Sequence, residues 1–268
     1  TLDQASDEAL TLFAANNAFS AHDALRFNTG TLGGTGTVVL APGTNATSLR
    51  MFINAGQTLT IGSGVTVKTG AVGTNSSTSI TSGANGTLIN QGTISSETAS
   101  RSLTVNLTNL TNSGTLAAKN GGTLTLGGSW DNSAGTISLD ANANSTVNLG
   151  GAFTTAGLGT LSRGAGGLNG RVNITGTLTN TGDTLLLDDT TGSLNLAGGT
   201  IVGGIIDTAV GSASKLNITG DSTLSGGVTL ASSLDVGSLS SNVTLTVNGG
   251  LTLDQASDEA LTLFAANN

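Results

Sequence analysis

The chain has 268 residues, of which 41 are Gly, one is Pro, and none is Cys or Tyr. Only 9% are charged, against roughly 25% in ordinary globular domains, yet 37% are hydrophobic, so charge-rich disorder is excluded as well. Without cysteine there are no disulfides, thiolate metal sites or cysteine nucleophiles, and the single histidine, His22, is a poor basis for a His-ligated metal site or a Ser-His-Asp triad. Sixteen acidic against eight basic residues, with 3% aromatics, argue against a nucleic-acid partner. No run approaches the 18 or so apolar residues of a membrane helix, so no membrane insertion is expected.

The first segment, Thr1 to Asn17, reads TLDQASDEALTLFAANN, and the same string returns without a mismatch at Thr252 to Asn268. The offset from Thr1 to Thr252 is 251 residues. The economical reading is one complete repeat unit over 1–251 followed by the start of the next identical unit over 252–268, a window on a longer array. The expected junction residues are Thr1, Leu2 and Asn17 with Leu251, Thr252, Leu253 and Asn268. Within this segment Ser6-Asp7-Glu8 offers a helix cap ahead of Ala9-Leu10, but Leu10-Thr11-Leu12 alternates as a strand does, and strand is the favoured reading.

From Gly30 onward a second, shorter period takes over. Apolar-polar-apolar triplets recur at Leu59-Thr60-Ile61, Leu103-Thr104-Val105, Leu124-Thr125-Leu126, Val147-Asn148-Leu149, Val172-Asn173-Ile174, Leu194-Asn195-Leu196, Leu216-Asn217-Ile218 and Leu234-Asp235-Val236, with Ile80 between the first two. The step from Asn173 to Asn195 equals the step from Asn195 to Asn217. One turn parses as strands over 172–174, 177–179 and 184–187, separated by Gly, Asn and Asp bends. Ten Gly-Thr-(Leu/Ile/Val) triplets mark further strand starts after glycine bends. Three short strands per coil describe an all-β, single-stranded parallel β-helix of about 11 rungs of roughly 22 residues per repeat. A sandwich needs longer strands and two-residue hairpins. A single rung buries too little to offset its ordering entropy, so the coil stands only by stacking.

The strings Thr35 to Leu40 (TGTVVL), Leu59 to Val67 (LTIGSGVTV), Leu88 to Ile94 (LINQGTI) and Gly121 to Leu139 (GGTLTLGGSWDNSAGTISL) resemble those of giant filamentous-haemagglutinin-like bacterial surface proteins built from tandem β-strand repeats. The resemblance is one of style over essentially the whole chain, strongest over 30–250. It implies a right-handed helix, export from a Gram-negative-type cell, an extracellular or cell-surface location, and a structural or adhesive role. The expected partners are adjacent identical repeats end to end. Contacts with other filaments, cell envelopes or glycans would be weak per copy and multiplied by copy number. A carbohydrate-active β-helix enzyme, or a rigid stalk presenting a separate adhesin domain, are the alternatives.

Candidate sites are few, and neither cofactor nor catalytic group is expected. Asp188-Asp189 is a carboxylate pair in a bend, without the histidine motif or Arg-x-Lys string of polysaccharide hydrolases on this fold. Asp207, Asp221 and Asp235 fall one per rung but out of phase. Asp3, Asp7 and Glu8 could ligate calcium, though an acidic surface is the simpler reading. Asn148, Asn173, Asn195 and Asn217 occupy successive strand centres and should stack as an outward structural ladder. Threonine doublets (Thr58/Thr60, Thr123/Thr125, Thr177/Thr179, Thr244/Thr246) resemble ice-binding arrays but are interrupted by Asn and Asp. Asn-x-Ser/Thr triplets such as Asn45-Ala46-Thr47 and Asn242-Val243-Thr244 are expected from composition. Trp130 and Phe153 should plug the core, and Phe13, Phe19, Phe27 and Phe52 should fill the interior near the repeat junction.

Overall fold

The protein is described by a computed structural model covering residues 2–3, 9–14, 23–42, 48–70, 77–142, 144–164, 170–237, 242–254 and 260–264. Among these residues it is an all-β parallel solenoid of about nine turns, its one helix the single turn Thr155–Leu158. Every strand pair described is parallel, and each strand stacks on one a whole turn away.

A turn places its strands on three faces in a fixed order. In the turn over 171–187 these are Arg171–Ile174 on the first face, Thr177–Thr179 on the second and Thr184–Leu187 on the third. The first face runs from Asp23–Phe27 through Ser48–Ile53 and Thr146–Leu149 to Leu234–Val236 and Leu261–Leu263. The third face runs from Gly34–Pro42 to Thr160–Arg163, and a separate ladder joins Thr184–Leu187 to Leu251–Leu253.

Alternation within each strand sets what is buried. In Thr146–Leu149, Val147 and Leu149 are fully buried while Thr146 and Asn148 are half-exposed. The same phase recurs rung after rung, because parallel pairing in register puts like residues over like. One continuous column of Leu, Ile and Val fills the interior, each such side chain contributing about 1.5–3 kcal/mol on burial. Trp130 and Phe153 lie within it, stacked with ring centres 4.3 Å apart, and Trp130 Nε1 donates to Gly150 O at 2.8 Å.

Three expectations need correction. The turns number about nine rather than 11, because the step that separates Asn173, Asn195 and Asn217 is not general. Turns are longer towards both ends, where Met51 pairs with Ile80 and Asp235 with Thr262. Second, Leu59-Thr60-Ile61 belongs to the second face, over Gly30–Leu32 and under Thr87–Asn90. The first-face strand of that turn is Ser48–Ile53, which pairs with the strand carrying Ile80. Third, Phe52 does not fill the interior. Met51 and Ile53 point inward, so parity turns Phe52 out, where the guanidinium groups of Arg26 and Arg50 lie 4.7 and 4.8 Å from its ring centre. Phe27 does pack against the core, while the Phe13 side chain and Phe19 lie outside the described residues.

Candidate functional site

The surface groups singled out from the sequence form ladders along the axis rather than one converging site. On the first face, Asn148 Nδ2 donates to Thr125 Oγ1 at 3.1 Å. Asn173 Nδ2 then donates to Asn148 Oδ1 at 2.9 Å, Asn195 to Asn173 at 2.9 Å, and Asn217 to Asn195 at 3.2 Å. Asn148, Asn173 and Asn195 each donate a hydrogen bond toward one end of the coil and accept one from the other, and Asn217 donates in the same direction. Asp235 follows Asn217 in register and is paired with Lys215, so the ladder passes from amides to an ion pair.

A second ladder, on the inside, escapes sequence reading. Asn90 Nδ2 donates to Asn112 Oδ1 at 2.6 Å, Asn112 Nδ2 to Asn132 Oδ1 at 2.5 Å, and Asn132 Nδ2 to Leu158 O at 2.7 Å, all three residues being buried. Asn180 continues the theme, donating to Ile205 O at 2.8 Å and accepting from Thr155 Oγ1 at 2.6 Å. These asparagines stand where the second face turns into the third. The preceding turn presents Ile61 at this level, and Asn90 Oδ1 is buried without a partner. A signal is present: Asn90-Gln91-Gly92-Thr93 and Asn112-Ser113-Gly114-Thr115 place an Asn ahead of a Gly-Thr strand start.

The third face carries a further column. Thr37, Thr66, Thr93, Thr115, Thr136 and Thr160 stand directly over one another on successive rungs. Searching for threonine doublets hides this column, whose members are single. At the following bend Glu97 bridges Lys68 at 3.4 Å and Lys119 at 3.6 Å, three turns joined by part-buried charges.

The carboxylates do not gather. Asp188 accepts from the Thr190 and Thr191 amides at 2.9 and 2.6 Å, and hydrogen bonds, the Thr191 amide foremost, hold its carboxyl below the usual range against the opposing effect of desolvation. Its neighbour Asp189 accepts from Ser212 Oγ at 2.6 Å. Asp207 accepts from the Thr208 amide, Asp221 from the Thr244 amide, and Asp235 pairs with Lys215, so each acid is engaged separately. Asp140 also sits low: burial would raise it, but the Asn120 amide, Ser145 Oγ, the Asn142 amide and Lys119 outweigh that. Asp3 is exposed, and Asp7, Glu8 and His22 lie outside the described residues, as do Thr1, Asn17, Asn45 and Asn268. Among the described residues no three His, Cys, Asp or Glu side chains group as metal ligands.

A large apolar opening lies at the end of the coil. Val236, Leu245, Val247, Leu251, Leu261 and Leu263 line a hollow of about 380 Å³ that opens onto the interior column. Leu253 is 55% exposed and Leu263 75%, the reverse of their equivalents on inner rungs.

No family model, curated protein or solved structure matches the chain. The solenoid is consistent with a β-helix fold, but no family match supports a place among filamentous-haemagglutinin-like proteins. What the arrangement offers chemically is axial hydrogen bonding, a hydroxyl- and amide-rich flank, and an apolar end.

The two copies of the heptadecapeptide pair differently. Leu10–Ala14 stands against Val38–Pro42 on the third face, whereas Leu261–Leu263 stands against Leu234–Val236 on the first.

Proposed function

We propose that this chain is a non-enzymatic structural or adhesive element of an extracellular, cell-surface fibre in which tandem copies continue one β-solenoid. The observation that carries this reading is the apolar open end, bordered by the sequence with which the repeat begins. Exposed core and unpaired strand edges are an aggregation hazard on a free protein; a following copy covers both. The filamentous-haemagglutinin-like strings support the same role and an origin outside the cell. Backbone ladders along the axis supply stiffness, and the Thr/Asn flanks stay wet with little charge. Adhesion to envelopes or glycans would be weak per copy and gain from repetition.

Chains of one, two and four copies, imaged by electron microscopy, test this. Rods should lengthen by a constant amount per copy, on the order of 45 Å for about nine turns at about 4.8 Å each. Strings of separated beads would contradict it.

A further inference from the structure

The duplicated segment is seen twice, once with its neighbour above and once with its neighbour below, and together the two views define a junction. Resting on the tandem reading, we infer that successive copies join with a rotation of one face, so that the first face of one copy runs on as the third face of the next.

The lower pairing is Leu261 on Leu234, Thr262 on Asp235 and Leu263 on Val236. The upper pairing of the identical residues is Leu10 under Val38, Thr11 under Val39 and Leu12 under Leu40. Superposing them stacks Leu234, Leu261 and the next copy's Val38 in one column, with Val236, Leu263 and its Leu40 in another. Parity agrees at every level, since Leu234, Val236, Val38 and Leu40 are all buried while Asp235 and Val39 are on the outer side.

The offset is carried by the Leu10–Leu12 strand: Leu253 stands on Leu230, on the third face, and its equivalent Leu2 stands under Gly34, with Asp3 under Thr35, at the start of the third-face strand Gly34–Pro42.

Chain length fits the rotated junction. The shortest full turn among the described strands runs from Asn217 to Asp235. The stretch from Leu10 to Asp23, the start of a first-face strand, is shorter still. The segment and the strand after it therefore cannot both lie on one face; they occupy consecutive faces. Each copy spans a whole number of turns plus one third, and three copies restore the orientation. The hollow lined by Val236, Leu245, Val247 and Leu263 is then closed by the opening turn of a second copy, with Asp23–Phe27 over Leu245–Asn248. Surface features are distributed accordingly. The Asn148–Asn217 ladder and the Arg26–Phe52–Arg50 cluster each point in three directions around the rod, once per copy, and a lateral partner meets each of them at every third copy.

The absence of native cysteine makes disulfide trapping direct. In a chain of two copies, a cysteine replacing Arg26 of the second copy is combined with one at Thr246 or, separately, at Asp235 of the first. In-register neighbours on parallel strands lie within disulfide reach. The rotated junction forms the Thr246→Cys/Arg26→Cys bond under mild oxidation and not the Asp235→Cys/Arg26→Cys bond, on a straight rod. The opposite pattern on a straight rod overturns the rotation and leaves the tandem reading standing. Neither bond, with particles jointed at mid-length, overturns both.

Discussion

Asparagine does two jobs in this coil, and they differ in cost of removal. On the flank, Asn195 is half-exposed, so Asn195→Ala leaves neighbouring amides free to turn to water; a loss of about 0.5–1 kcal/mol is expected. Inside, Asn112→Leu strands the buried Asn132 Oδ1, and a loss of about 2–3 kcal/mol is expected. Urea unfolding of the two variants checks the order; an equal loss would mean that the inner amides are not paired as described. Asp140 and Asp188 carry depressed pKa values, so they favour the folded state above the ordinary carboxylate range near 4 and cease to do so as the pH falls through their lowered values. Wild type should lose thermal stability on acidification more steeply than the double variant Asp140→Asn/Asp188→Asn, as melting curves between pH 7 and pH 3 would show. Parallel curves would mean that these bends are not closed by their carboxylates.

Strands and corners show why the sequence is readable in part. Alternation reports whether a residue points in or out, and an even step links like strands, so the turn over 171–187 and the column through Asn173, Asn195 and Asn217 are visible from the sequence. Alternation carries no label for which of three faces a strand joins, so Leu59-Thr60-Ile61 reads into the wrong column where turns lengthen. Asn112 goes unseen because an Asn before Ser-Gly reads as a bend; only the stacking of adjacent corners buries it. Bulk alone sends Phe52 inward, whereas parity with Met51 and Ile53 sends it out. The corners also set limits on substitution. At Gly128, with φ of +71°, an added Cβ would lie 1.6 Å from Leu107 O of the preceding turn. Gly128→Ala should therefore cost roughly 3 kcal/mol or more. Gly182, with φ of +81° and open space around it, should cost about 1–2 kcal/mol as Ala, from backbone strain alone. Comparable losses at the two sites would show that adjacent turns do not approach closely at the Gly128 corner.

For the whole molecule, stability and the proposed fibre role have the same source. A turn is held by the turn on either side, so the ends are the weak places, which in the proposed fibre a neighbouring copy would cover. The charged ladders add little to this, because Lys68, Glu97 and Lys119 are only part-buried and open to screening by salt; the apolar column and the backbone ladders hold the rod together. Diffraction from aligned native filaments tests the claim most directly. Strands that run across the rod and stack along it predict a strong reflection near 4.8 Å, with "near" set by the usual strand spacing of about 4.7–4.9 Å, parallel to the filament axis. That spacing appearing perpendicular to the axis, or absent from filaments that carry the protein, would contradict continuous stacking of copies.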